Sequence, residues 1–178
     1  MLTTTLIVIA LLVALAVILL YAASKPDTFA IQRSATIAAP SDKIFPLINN
    51  LHAHTRWSPF EKDPAMKRTH SGAPAGKGAI YEWDGNRQVG SGRIAITDSS
   101  PSSKVAMRLE MFRPFKADNV VEFTLKPHGN PDTRITWAMR GQQPFMAKLM
   151  STFINCDKMV GSQFEEGLAK LKVLAEAR

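Results

Sequence analysis

Few residues in this 178-residue chain have the type and spacing of a chemical site. His52-x-His54 sets two metal-ligating side chains close together. A working metal centre needs a third protein ligand and none stands nearby, so both read as solvated loop histidines. Cys156 is the single cysteine, and the sequence around it offers no base. A thiol beside an apolar helical stripe reads better as a small buried hydrophobe than as a nucleophile. Glu82 and Asp84 have the chemistry of an acid–base pair, yet they alternate with Tyr81 and Trp83. That puts the carboxylates on the other strand face, toward solvent. Arg93 and Arg108 fall on outer faces by the same alternation. Gly76-x-Gly78 lacks the strand-then-helix setting of a phosphate loop and reads as a turn. These residues assign no catalytic group, no metal and no cofactor. Function must be sought in the elements that shape apolar space.

The composition, 46% hydrophobic and 21% charged, supports one domain with a core and excludes a disordered chain. A lone cysteine excludes a disulfide scaffold. From Leu2 to Ala23 there is no Lys, Arg, Asp or Glu. As a helix rising ~1.5 Å per residue, this stretch reaches roughly 30 Å, the thickness of a bilayer's hydrocarbon core. Thr3, Thr4 and Thr5 can bond back to helix carbonyls near one interface, and Tyr21 suits the other. A cleaved signal peptide fits less well. No basic segment precedes the run, the run exceeds the usual ~7–15 apolar residues, and cleavage after Ala23 would set Tyr21 where a small residue is needed. Residues 1–24 are therefore expected to be a single-pass membrane anchor and 25–28 a short linker.

Lys25, Arg33 and Lys43 follow the span, while only the terminal amine precedes it, so the domain is expected to face the cytoplasm. All 22 Lys+Arg and 15 Asp+Glu lie after residue 24 and give a net charge of +7. The basic residues are scattered, without an aromatic–basic ladder, so nucleic acid is not an expected partner. A basic face beside an anionic leaflet explains them more simply, at about 1 kcal/mol per nearby cation.

Phe29–Ala38 reads as a first strand, with Ile31, Arg33, Ala35 and Ile37 on one face. A helix follows Pro40, capped by Ser41 or Asp42, with Ile44, Phe45, Leu47, Ile48 and Leu51 as its stripe and Pro46 near its first turn. His52–Pro59 is a loop or short helix. Strands are then expected near 66–71, 79–84, 90–97, 105–112, 120–125 and 134–140, with turns at hairpin spacing between them and no intervening helix. The sheet should therefore be antiparallel. Residues 145–153 are a helical or irregular lead-in to a long helix over 155–177. Gly161 and Gly167 inside that helix make sense if it lies close against something. The order implies an α+β helix-grip fold: a curved antiparallel sheet of about six or seven strands around a long C-terminal helix, plus the N-terminal transmembrane helix.

Several words in the text strengthen this reading. They are Ile37-Ala38-Ala39-Pro40 followed by Phe45, Trp57-Ser58-Pro59-Phe60, Gly76 to Trp83, Thr133-Arg134-Ile135-Thr136-Trp137, and Met159-Val160-Gly161 followed by Phe164-Glu165-Glu166-Gly167-Leu168. Together they resemble the START-like SRPBCC superfamily, in its polyketide cyclase/dehydrase branch, from about Phe29 to Glu176, nearly all of an expected domain at 29–178. The resemblance implies a domain that binds lipids, sterols or polyketides, cyclises aromatic precursors, or serves as an assembly module. It implies no universal catalytic residue.

A sheet that bends around a helix can leave apolar space between them. Tyr81, Trp83, Met107, Leu109, Trp137 and Met139 face inward by alternation, and Met159 and Phe164 lie on the helix stripe. With Trp57 at the rim, these nine are the expected ligand-binding residues, against the plainer reading that they are core. The expected function is a membrane-anchored binder of a hydrophobic or amphipathic, lipid-like molecule. A polyketide cyclase or dehydrase is the alternative, and a non-catalytic assembly or regulatory module a further one.

Overall fold

A computed structural model of the chain describes residues 1–177; Arg178, the last residue of the expected domain, lies outside them. The elements run α1 (Leu2–Ser24), β1 (Thr28–Ile37), α2 (Ser41–Asn49), a 3-10 turn (Leu51–Arg56), β2 (Lys67–Gly72), β3 (Ala79–Asp84), β4 (Ser91–Ser100), β5 (Lys104–Arg113), β6 (Ala117–Pro127), β7 (Thr133–Gln142), α3 (Phe145–Phe153) and α4 (Cys156–Glu176).

The seven strands form one antiparallel sheet in the order β1-β7-β6-β5-β4-β3-β2. Strands β2 to β7 are a meander, each paired with its successor, because only short turns separate them. Strand β1 lies beside β7, and the stretch from α2 through the 3-10 turn carries the chain from one sheet edge to the other. Helix α4 then crosses the inner face, packing chiefly on β1.

Local detail differs from expectation at two points. Pro40, not Ser41 or Asp42, occupies the N-cap of α2, and no side chain caps it. Pro46 stands in the second turn of this nine-residue helix, which therefore lacks one ladder bond. The lead-in before the last helix is a helix of its own, α3, and Asn155 caps α4 by accepting from the Lys158 amide at 2.9 Å.

The core lies between the sheet and α4. Phe164, Leu168, Leu171 and Ala175 of α4 are buried against Phe123, Ile135 and Trp137, with Ile44 and Ile48 of α2 closing the far end. The two helix glycines are where the helix touches the sheet. A Cβ on Gly161 would fall within the Arg33 guanidinium, and one on Gly167 would sit 2.7 Å from the Trp137 ring. Helix α1 buries only Ala22 and is long and apolar enough to cross a membrane.

Candidate functional site

The nine expected ligand-binding residues divide into three groups. Trp57, Tyr81, Met107, Trp137 and Phe164 are buried core. The Trp137 and Phe164 rings stack with centroids 4.3 Å apart, and Trp57 meets Trp137 and Phe123 edge-on at 5.7 and 5.8 Å. Trp57 is no rim: its indole N–H donates to the Leu47 carbonyl at 2.9 Å and pins the 3-10 turn to α2. Trp83, Leu109 and Met139 are half-buried on the inner face. Met159 is 56% exposed and is not part of the core. Its place in the three- and four-residue pattern is real, but it is the neighbouring Val160 that packs on the core.

Two of the concavities measure about 200 and 170 Å³. The first lies on the outer sheet face over Ala30, Val120 and Ala138, the second at the β2 edge against His52, His70 and Pro74. Neither lies between α4 and the sheet, where Trp137, Phe123 and Phe164 fill the interval.

Part of the inner face is less completely covered. Residues opposite one another in register share a face. Gly141, Asn119, Leu109, Ile94 and Tyr81 therefore make one row across the sheet, and Met111, Gly92 and Trp83 make the next. Of these, Leu109, Ile94, Met111 and Trp83 are only half-buried, as are Met139 on β7 and Val160 on α4. The Trp83 ring lies over Gly92, where a Cβ would be 2.6 Å from it, so this glycine lets the indole lie flat on the sheet. Trp83 Nε1 donates to the Val89 carbonyl at 3.2 Å, which fixes the ring as one wall. The result is a half-covered apolar patch on the inner face of β3, β4 and β5.

Beside this patch Tyr81 joins three polar residues that the sequence did not single out, Glu61, Arg68 and His70. The Tyr81 hydroxyl donates to Glu61 Oε1 at 2.6 Å, and Arg68 Nε donates to Glu61 Oε2 at 2.9 Å. Burial, reinforced by the Glu61 bond, raises the Tyr81 pKa. Both carboxylate oxygens of Glu61 are thus engaged. Glu61 stands in a loop, where no periodicity reveals its direction. The His70 ring stacks on Tyr81 at 4.8 Å and on His52 at 3.8 Å. Burial and the His52 neighbour lower its pKa, and its Nε2 is buried without a partner.

The histidine reading needs correction at His54. It is buried rather than solvated, because the 3-10 turn swings it inward against Trp57 at 4.7 Å. Its Nε2–H donates to the Ile48 carbonyl at 2.8 Å, and burial lowers its pKa to about 4. No cluster of three metal-ligating side chains occurs among the described residues. Cys156, expected to be buried, is half-buried as the first residue of α4. Glu82, Asp84, Arg93 and Arg108 lie on the outer face in surface ion pairs: Glu82 with Arg93, Arg108 with Asp118, and Asp84 with Arg113.

Comparison with known proteins agrees with this architecture. Residues 28–176 match the family described as polyketide cyclase / dehydrase and lipid transport. No curated protein sequence matches the chain. Among solved structures, a START superfamily protein from Mycobacterium smegmatis is 17% identical, with 83% of this chain and 97% of that one covered and a TM-score of 0.56. The major latex-like protein 151 of Panax ginseng is 10% identical, with 85% and 100% covered and a TM-score of 0.61. A protein from Chromobacterium violaceum is 13% identical, with 86% and 100% covered and a TM-score of 0.60. These likenesses show a shared fold. With the family match spanning nearly all of the chain after α1, this protein belongs to the polyketide cyclase/dehydrase and lipid transport family of START-like domains.

Proposed function

We propose that this protein is a membrane-anchored domain that binds a hydrophobic or amphipathic, lipid-like molecule on the apolar patch over β3, β4 and β5. The observation that carries the reading is the patch of half-covered apolar side chains, Trp83, Ile94, Leu109, Met111 and Met139, on the face that elsewhere is sealed by α4. Flat rings and thioethers accept varied apolar shapes. The Glu61–Tyr81–Arg68 group at one side offers polar contacts to a headgroup. The apolar helix α1 serves as the anchor, and the cations Lys25, Arg33 and Lys43 after it favour a domain on the cytoplasmic side.

The test is native mass spectrometry of the full chain, purified in detergent after exposure to membrane extract. Retained lipid mass is expected, reduced in Leu109→Arg. Protein that stays empty in repeated preparations overturns the reading.

A cyclase or dehydrase draws support from one observation, the ionisable groups beside the patch. Glu61 is poorly placed as a base, since two donors already hold its oxygens. His70, with its free Nε2, is the better candidate.

A further inference from the structure

Helix α3 is amphipathic the wrong way round for a soluble domain. Met146, Met150 and Phe153, spaced four and three residues apart, share one face and are all exposed, Met146 at 64% and Phe153 at 70%. Phe145 beside them is exposed as well. The polar side chains turn inward: Lys148 is buried, and Ser151 and Thr152 donate to its carbonyl. This inverted face is not free to reach any partner. Asp27 in the linker after α1 accepts from Lys148 Nζ at 2.6 Å through its side chain and from the Gln143 amide at 2.6 Å through its carbonyl. Lys25 Nζ donates to Ser151 Oγ at 3.1 Å. Helix α3 is thereby tied to residues one to three positions past the end of α1, and it packs against α1 itself.

A second apolar projection lies at the same end of the sheet. The register Thr28–Gln142, Gly141–Asn119 and Met111–Ala117 brings the start of β1, the end of β7 and the β5–β6 tip to one edge. That tip exposes Phe112 and Phe115, the latter by 67%, with Arg113 and Lys116 adjacent to them in the chain. The carboxylates nearest these two patches are occupied: Asp118 is paired with Arg108, and Asp157 with Arg33. Lys116 and Lys158 stay exposed. Exposed apolar side chains with Lys116 and Lys158 beside them, next to an apolar helix, match the boundary between headgroups and acyl chains of an anionic leaflet.

We propose that α3 and the β5–β6 tip form a second membrane contact, lying in the interface of the same bilayer that α1 enters and holding the end of the inner-face patch marked by Met111 toward the lipid surface. This rests on the reading of α1 as an anchor. The domain then has one orientation on the membrane, and a lipid-like ligand could pass between leaflet and patch without crossing water.

The test uses the full chain with its only cysteine removed by Cys156→Ser and single cysteines placed at Phe115, Met146 or Phe153. Leu12 in mid-α1 and Val173 on the far end of α4 serve as references. Each variant carries a polarity-sensitive fluorophore in phosphatidylcholine–phosphatidylserine vesicles containing lipids spin-labelled near the carbonyl or at the chain end. Emission from 115, 146 and 153 is expected to be blue-shifted and quenched most by the shallow label. The position-12 signal is expected to be quenched most by the deep label, and that at 173 by neither. Should 12 be quenched while 115, 146 and 153 behave like 173, the domain stands off the bilayer and the proposal fails, though the anchor survives. A blue shift that grows with protein density but resists lipid quenching means a second copy covers the patch, which also overturns it. Loss of quenching at 12 removes the anchor and the contact together.

Discussion

The guanidinium of Arg33 on β1 lies directly beneath Gly161 of α4, donating to Asp157 at 2.9 Å and to Glu165 at 2.8 Å. The helix has no side chain at that point because the arginine occupies its volume. Gly161→Ala is expected to destabilise the fold by roughly 1–3 kcal/mol through overpacking. In an Arg33→Ala background the same change should become neutral or favourable, since alanine is about 1 kcal/mol better than glycine inside a helix. Urea unfolding of the four proteins in detergent, as a double-mutant cycle, reads the sign change. An equal effect in both backgrounds would contradict the contact.

His54 predicts a specific acid sensitivity. Its folded pKa is about 4, lowered from 6.5 by burial. The unfolded chain therefore binds the proton first as pH falls. Stability is full above about pH 6.5 and declines toward pH 4, by on the order of 3 kcal/mol from this residue alone. Thermal midpoints measured between pH 7 and 4.5 should fall more steeply in the native sequence than in His54→Gln. Parallel slopes would remove His54 as the cause.

Phe164 and Met159 belong to the same predicted stripe but should behave oppositely. Phe164→Ala deletes a ring stacked on Trp137 in the closed core and should cost about 3–5 kcal/mol. Met159→Ala removes an exposed side chain and should stay within about 0.5 kcal/mol of the parent. Denaturant midpoints with unchanged slopes would establish the contrast; a large loss at Met159 would show that its side chain belongs to the core.

The Lys148–Asp27 pair joins a buried ammonium to an exposed carboxylate, side chains 8% and 88% accessible. Asp27→Ala strands the ammonium and should cost roughly 1–3 kcal/mol. Lys148→Met removes the charge while keeping the volume, and should be neutral or stabilising. Limited proteolysis within the linker should show faster cleavage in both variants, since each breaks the pair, while thermal stability should fall only in Asp27→Ala. Cleavage at the parent rate in both variants would mean the pair does not hold the linker to α3.

Much of the architecture was legible in the residues because side-chain period reports which face is apolar. Alternation located β3, β5, β6 and β7 within a few residues, and the charge-free run from Leu2 to Ala23 marked α1. Gly161 and Gly167 announced a close approach by α4, and the approach is there. Period does not report how far a covering element extends. Trp137 and Leu109 alternate inward identically, yet one is sealed under Phe164 and the other half-open, because α4 follows β1 and leaves β4 and β5 uncovered toward one end.

The order and type of the elements, the apolar helix before the domain and the family were all readable from the residues without coordinates. Each depends on local pattern, which a chain carries wherever it folds. Tertiary structure alone decided that Glu61 meets Tyr81 and Arg68, that His54 turns inward, and that α3 hides its lysine while showing its methionines. Those outcomes depend on what arrives from distant segments, and contact between residues far apart in the chain leaves no periodic trace in either stretch.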